Sequence, residues 1–408
     1  MVTKEDIIAP LRRLKEGKQA CLSAWATVTG NARTTLPQLT ADIVAFTRGT
    51  LDEEVATANE IDGDLAEVLS DYLETGIRSA QDITTYRQST CSGSDIIYAP
   101  SGQVTGTSLN LCFNGAQSLL LVEQLYQDDG NGGTTETLSN VTTATNMFQN
   151  CYKLEYLPPN LAMPNVTNVN SMFISCYSLQ SIPSSLTFDN VTNANALFYH
   201  CRNMRSLPNL TMSHCTTFNN AFRFESAYIT ALPSTLRCSS ATNISSMCRQ
   251  DIGLTSTGGA FVDGTGVLTN AVSAFGNCSA LTTITGSLNI GGISMWGGTT
   301  ESNSSNSVYA MFQGSGVTHC IFTGTYTFCF NIKLNVWGFQ NLDEASIVSL
   351  ISCLQDVTGE TGYDSNNPPS ATLTATQKAY TIEVDDGEGG TDEIDVETYL
   401  QLLGYSVL

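Results

Sequence analysis

Between Asn140 and Phe222 the chain writes one phrase three times at an interval of 25 residues. The first copy runs Asn140-Val-Thr-Thr-Ala-Thr-Asn-Met-Phe148-Gln-Asn-Cys151-Tyr-Lys-Leu154-Glu-Tyr-Leu157-Pro158. The second carries Met172-Phe173, Cys176, Leu179 and Ile182-Pro183, and the third Leu197-Phe198, Cys201, Met204 and Leu207-Pro208. A fixed period of this length restricts the chain more than any local propensity does. One unit has too little apolar surface to fold alone, so copies must stack and close a shared core. Such a molecule offers a long surface rather than a single pocket.

With the aromatic residue as anchor, the series continues through Phe222, Cys248, Phe275 and Phe312. Six residues before the anchors stand Thr142, Thr167, Thr192, Thr216, Thr242, Thr269 and Asn306. Four before them stand Ala144, Val169, Ala194, Phe218, Ile244, Ala271 and Val308. Three after come Cys151, Cys176, Cys201, Glu225, Asp251, Cys278 and Ser315, and six after come Leu154, Leu179, Met204, Leu254 and Leu281. Each unit is expected to hold a short extended Leu-x-x-Leu/Ile segment closed by Pro, a turn, and a Met-Phe segment forming one helical turn. The Leu/Met column and the Phe column should stack as adjacent buried ladders.

These motifs resemble the BspA-like branch of the leucine-rich repeats, closely over Met147 to Pro208 and more loosely outside it. The resemblance implies an α+β chain whose centre, residues 91–340, is a right-handed leucine-rich-repeat-like solenoid used for adhesion or display. It implies no chemistry, cofactor or metal.

Charge narrows the partners. Lys and Arg number 17 against 38 Asp and Glu, a net charge of −21, which disfavours nucleic acid and anionic membranes because both are bound through cations. Charged residues make up 13% of the chain, about half the usual share of ~25%, while Asn, Ser, Thr and Gly abound. Short polar residues suit stacked coils, where they bond up and down the stack.

The two ends differ from the repeats. Residues 1–90 read as helical, with Ile7, Leu11, Leu14, Leu22 and Trp25 at helical spacing on one face. An apolar face distant from a self-contained repeat array is expected to be an assembly interface, for oligomerisation or docking. Neither a signal peptide nor a span of about 20 apolar residues is legible. Leu14 to Trp25, Gly30 and Leu36 to Ile43 resemble the amino-terminal module of phage tail and fibre proteins. Residues 341–408 contain a helix over Leu342 to Leu354 and a segment, Thr381 to Val396, that reads as an acidic hairpin inserted in a cap for the open end of the stack. Asp356-Val-Thr-Gly359, Thr372-Leu-Thr374 and Leu403-Gly404-Tyr405 resemble the closing segment of repeat-bearing phage proteins. Together these resemblances imply a structural component of a tailed-phage virion. Residues 1–90 would engage virion proteins or a homo-oligomer, and the solenoid a host-surface glycan or protein. A bacterial cell-surface adhesin is the alternative.

Candidate chemistry is sparse. The 13 cysteines include a column at the repeat period, expected to be reduced, buried and structural. His200, His214 and His319 each precede a Cys, and neighbours in an extended segment face opposite ways, a poor arrangement for chelation. Glu225 and Asp251 replace Cys in its column and are expected to be carried outward by a local shift; a catalytic carboxylate pair is the sharper alternative. Asp128 to Gly133 reads as a hairpin tip without calcium-loop spacing. The insertion around Trp296, Asn303 and Asn306 is a candidate binding loop, since repeat insertions gather on one face. No nucleophile, phosphate loop or metal motif points to an enzyme.

Overall fold

A computed structural model describes residues 83–293 apart from 84 and 97, then 308–325, 332–333, 338–358, 365, 368, 370–386 and 390–408. Ile7, Leu11, Leu14, Leu22 and Trp25 of the expected assembly face lie outside the described residues, as do Trp296, Asn303 and Asn306.

Consecutive repeats lie directly on one another. Parallel bridges join Ser108 to Thr143, Thr143 to Asn168, Asn168 to Asn193, Asn193 to Thr217, Thr217 to Asn243 and Asn243 to Asn270. The stretch before each anchor is no helical turn, contrary to expectation. It is a train of tight turns in which alternate amides have different partners. In one coil Met147, Gln149 and Cys151 donate to the carbonyl three residues back, while Ala144, Asn146, Phe148 and Asn150 donate to Asn168, Asn170, Met172 and Ile174 of the next coil. Backbone hydrogen bonding is thereby satisfied without a long strand or helix.

This alternation requires two left-handed residues per coil. They fall two before and two after the anchor: Asn146 and Asn150, Ser171 and Ser175, Ala196 and His200, Ser246 and Gln250, Ser273 and Asn277. Each costs a non-glycine residue about 1–2 kcal/mol, offset by the bond its amide makes to the next coil. The Asn and Ser at these positions, and Gly115 and Gly314 in the flanking coils, follow from that demand.

Because each turn consumes three residues, inward positions recur every third residue. Val141, Ala144, Met147, then Phe148, Cys151, Leu154 and Leu157 are all buried, and the next two coils repeat the set save that Leu207 is half-buried. The expected Leu/Met column is buried throughout, and the expected Phe ladder runs in two parts, Phe148 to Phe222 and Phe275 to Phe312, with Cys248 between them. Phe113, Phe148, Phe173 and Phe198 stack with centroids 5.1, 5.5 and 5.6 Å apart and nearly parallel planes. Tyr86 extends the column at one end, 5.4 Å from Phe113, and Phe339 at the other, 5.2 Å from Phe312. On the outer edge the amide and hydroxyl of Thr167, Thr192, Thr216, Thr242 and Thr269 both reach the carbonyl of the Thr one coil earlier, the hydroxyls at 3.2 Å.

Regular strands are short and gather at the ends. β1 (Thr85–Tyr86), β2 (Tyr98–Ala99), β3 (Gly102–Val104), β4 (Leu121–Val122), β5 (Leu125–Asp128) and β6 (Thr134–Thr135) open the stack. β1, β3 and β5 are parallel, and β6 returns antiparallel across the Asp128–Gly133 tip, where Asp129 accepts from Asn131 and Gly133. β7 (Thr283–Asn289) and β8 (His319–Thr323) pair in parallel in the last coils, followed by β9 (Ile332–Lys333).

Helix α1 (Glu344–Ser352), capped by Asp343, lies against β8. Ser346 and Ser349 accept from the amides of Cys320 and Phe322 at 2.9 and 3.1 Å, so hydroxyls of α1 take donors that another coil would have taken. β10 (Ser370–Thr372), α2 (Ala375–Lys378), the antiparallel hairpin β11 (Thr381–Asp385) and β12 (Thr391–Asp395), α3 (Val396–Leu402) and β13 (Ser406–Val407) complete the chain. β10 lies between β9 and β13, and buried Ile347, Leu350, Ile351, Val396 and Leu400 join the core.

Candidate functional site

The Cys column explains the one place where the stack changes its rule. Cys151, Cys176 and Cys201 direct their thiols at the carbonyls of Phe113, Phe148 and Phe173, at 3.0, 3.1 and 3.0 Å. The described cysteines are all buried, and burial pushes these three thiols up, away from the reactive thiolate.

At the Phe222 coil the rule breaks. Phe224, two past the anchor where other coils are polar, turns inward and packs 5.9 Å from Phe198. Its amide bonds to the Phe222 carbonyl, and the left-handed residue moves one place on, to Glu225. A thiol on the next coil thus loses its acceptor and meets amides instead. Asp251 occupies the position and accepts from the Glu225 amide at 2.8 Å. Asp251 is therefore inward and 1% exposed, not carried outward as its charge suggested. Burial pushes its carboxyl well above the usual carboxylate range, against the pull of the Glu225–Ser226 backbone and Arg223.

Glu225 does emerge from the Cys column. It receives Arg202 at 2.9 Å, Arg223 at 2.7 Å and His200 at 3.0 Å. Burial would raise its carboxyl, but Arg202, His200 and Arg223 outweigh it and hold the group below its ordinary value. His200 moves down, since partial burial outweighs the Glu225 carboxylate. Asp251 receives backbone amides and Glu225 receives cations, so the two carboxylates have separate structural partners. They do not form a free acid–base pair.

Around this network an aromatic and cationic strip crosses the coils. One residue past each Cys the chain reaches the surface, placing Tyr152, Tyr177 and Arg202 in a column. The two rings stack at 5.1 Å and the Arg202 guanidinium lies 5.7 Å from the Tyr177 centroid. Nearby, Arg205 covers Tyr228 at 5.0 Å, and the more buried Arg223 covers Tyr199 at 4.8 Å. Tyr177, Tyr228 and the Arg202 side chain are 38%, 53% and 56% exposed. Residues 202–249 hold five arginines against the single Glu225, a positive segment in a chain of net charge −21.

Sequence reasoning placed the binding surface in the Trp296 loop and missed this strip. The signal was present: a residue beside each inward Cys that is large and aromatic or cationic in three successive copies. His214 is exposed and bonds to the Asp189 carbonyl, while His319 meets Asp343 at 2.8 Å. Among the described residues no cluster of three His, Cys, Asp or Glu side chains suits a metal, and no helix is long and apolar enough to cross a membrane.

Fold and strip define a repeat-built stack with a surface site. Residues 122–256 match a family described as "Mycoplasma protein of unknown function, DUF285". A solved leucine rich cell surface protein from Faecalibacterium prausnitzii A2-165 is 15% identical, with a TM-score of 0.33 over 65% of this chain and 78% of that one. No curated protein matches.

Proposed function

We propose that the stack is a leucine-rich-repeat-like solenoid of the BspA-like kind and that the protein is a binding scaffold displayed on a surface, not an enzyme. The observation that carries this reading is the exposed Tyr and Arg strip, built at the repeat period on a rigid core. The carboxylates near it are committed to structural partners, and its thiols are buried. Residues 1–90, through Ile7, Leu11, Leu14, Leu22 and Trp25, dock the scaffold to virion proteins or to further copies of itself. The insertion carrying Trp296, Asn303 and Asn306 adds to the display face.

The displaying surface is that of a tailed-phage particle, which the terminal patterns Leu14 to Trp25 and Asp356 to Gly359 support. A bacterial cell surface is the second reading, favoured by a family description that names a bacterium. Quantitative mass spectrometry of purified particles and of cell envelopes separates them. Enrichment in either fraction supports display there, and confinement to the soluble cell extract overturns both.

A further inference from the structure

We propose that Asn131, at the tip of the β5–β6 hairpin, is a site of spontaneous covalent modification, where the chain converts the asparagine through a succinimide to aspartate and isoaspartate. Asn precedes Gly at only two places in the sequence, Asn114-Gly115 and Asn131-Gly132. Glycine lacks the Cβ that would crowd the approach of its nitrogen to the preceding side chain, so both pairs are candidates by type. The structure separates them. The Gly115 amide donates to the Gln149 carbonyl of the next coil at 2.7 Å, and the Asn114 carbonyl and amide are bonded to Gly93 and Leu111. At the tip the amides on either side, of Asn131 and Gly133, donate to one oxygen of Asp129 at 2.8 and 2.9 Å. The Gly132 amide between them, at φ +86°, donates to nothing among the described residues, and neither does the Asn131 carboxamide. Residues 128–134 are exposed, and no atom lies within 4 Å of where a Cβ would stand on Gly132.

Water is the only co-reactant. The Gly132 nitrogen bonds to Cγ of Asn131, its proton leaves with the carboxamide nitrogen as ammonia, and the succinimide ring closes. Water then opens the ring. Breaking the bond from nitrogen to Cγ leaves aspartate; breaking the bond to the main-chain carbonyl leaves isoaspartate, in which the backbone runs through Cβ and Cγ. A nitrogen committed to a carbonyl reacts only while that bond is open, and at Gly115 opening means parting two coils. Either product adds a carboxylate beside Asp128 and Asp129. The isoaspartate also lengthens the chain between two amides that share one Asp129 oxygen, so at least one of those bonds is lost. The change stays at the tip, because the Gln127 side chain ties β5 down below it, bonding to Ser139 at 2.7 Å and to the Asn140 amide at 3.1 Å.

The test incubates the full chain at mildly alkaline pH in heavy-oxygen water, once folded and once in denaturant, and follows the two Asn-Gly peptides by mass spectrometry. In the folded protein Asn131 should convert at least about tenfold faster than Asn114, because an opened coil is a minor state populated at roughly 10% or less. In denaturant both amides are free, and the two asparagines should convert at similar rates. The Asn131 product should carry solvent oxygen and separate into two isomers, aspartate and isoaspartate. If folded protein keeps its Asn131 amide over the time in which denatured chain loses it, the proposal fails. Equal rates at Asn131 and Asn114 in the folded protein overturn the role given to the free amide. Aspartate alone, without isoaspartate, means direct hydrolysis and overturns the succinimide route.

Discussion

Asp251 shows how one residue is chosen by the backbone it meets. A thiol serves where the preceding coil offers a carbonyl, and a carboxylate where it offers amides. Asp251→Ala should cost about 1–3 kcal/mol by stranding the Glu225 amide, while Asp251→Asn keeps an acceptor and should cost less. The pH dependence has a definite sign. A carboxyl whose folded pKa is raised contributes stability that is complete below its unfolded value, near 3.9, and is lost as the pH rises through the folded value. The stability difference between wild type and Asp251→Asn should therefore shrink as the pH climbs from about 4. Denaturant titrations across that range measure it, and a constant difference would refute the raised pKa. Glu225 runs the opposite way: its depressed carboxyl contributes above the ordinary carboxylate range and loses that contribution as the pH falls.

The coil is the element of this fold, and its left-handed residues are its most constrained backbone. Ser171→Gly should leave stability unchanged or raise it slightly, because glycine removes the left-handed strain while the amide bond to Asn195 remains. Ser171→Val should cost at least about 1–2 kcal/mol at the same position. Thermal melts of the two variants test this, and equal losses would mean that the left-handed geometry is not what selects the residue. The apolar columns were legible in the sequence because each recurs in register. Their arrangement within a coil was not, since Ala144, Met147, Phe148 and Cys151 fit one face of about two helical turns nearly as well as a train of three-residue turns. Only alternating amide partners separate the two. The Arg and Tyr strip was overlooked for a related reason: a column that changes from Tyr152 and Tyr177 to Arg202 keeps its function of surface contact but not its residue type.

Across the molecule, the Phe ladder couples coil to coil except at Cys248, where a thiol takes the anchor place. Phe173→Ala, with stacked rings on both sides, should cost about 3–5 kcal/mol and lower the denaturation midpoint. A loss below about 1 kcal/mol would mean that the ladder is ornamental to a core held by the Leu and Met columns. At the far end Phe339 and the serines of α1 end the series by supplying the contacts of a coil without being one.

The spacing of the anchors has a mechanical consequence. Intervals of 25, 24, 26, 27 and 37 residues separate successive anchors from Phe173 to Phe312, yet backbone hydrogen bonds carry the stack across them, as from Cys248 to Ala274 and from Phe275 to Met311. Each interface is made only with the coil on either side, so tension along the stack axis parts one interface before it reaches the next. A coil of 25 residues, once freed, pays out roughly 80–90 Å of extended chain. A scaffold that tethers something to a surface under flow would thus lengthen in steps, its tension relaxing at each, while the remaining coils keep their faces intact.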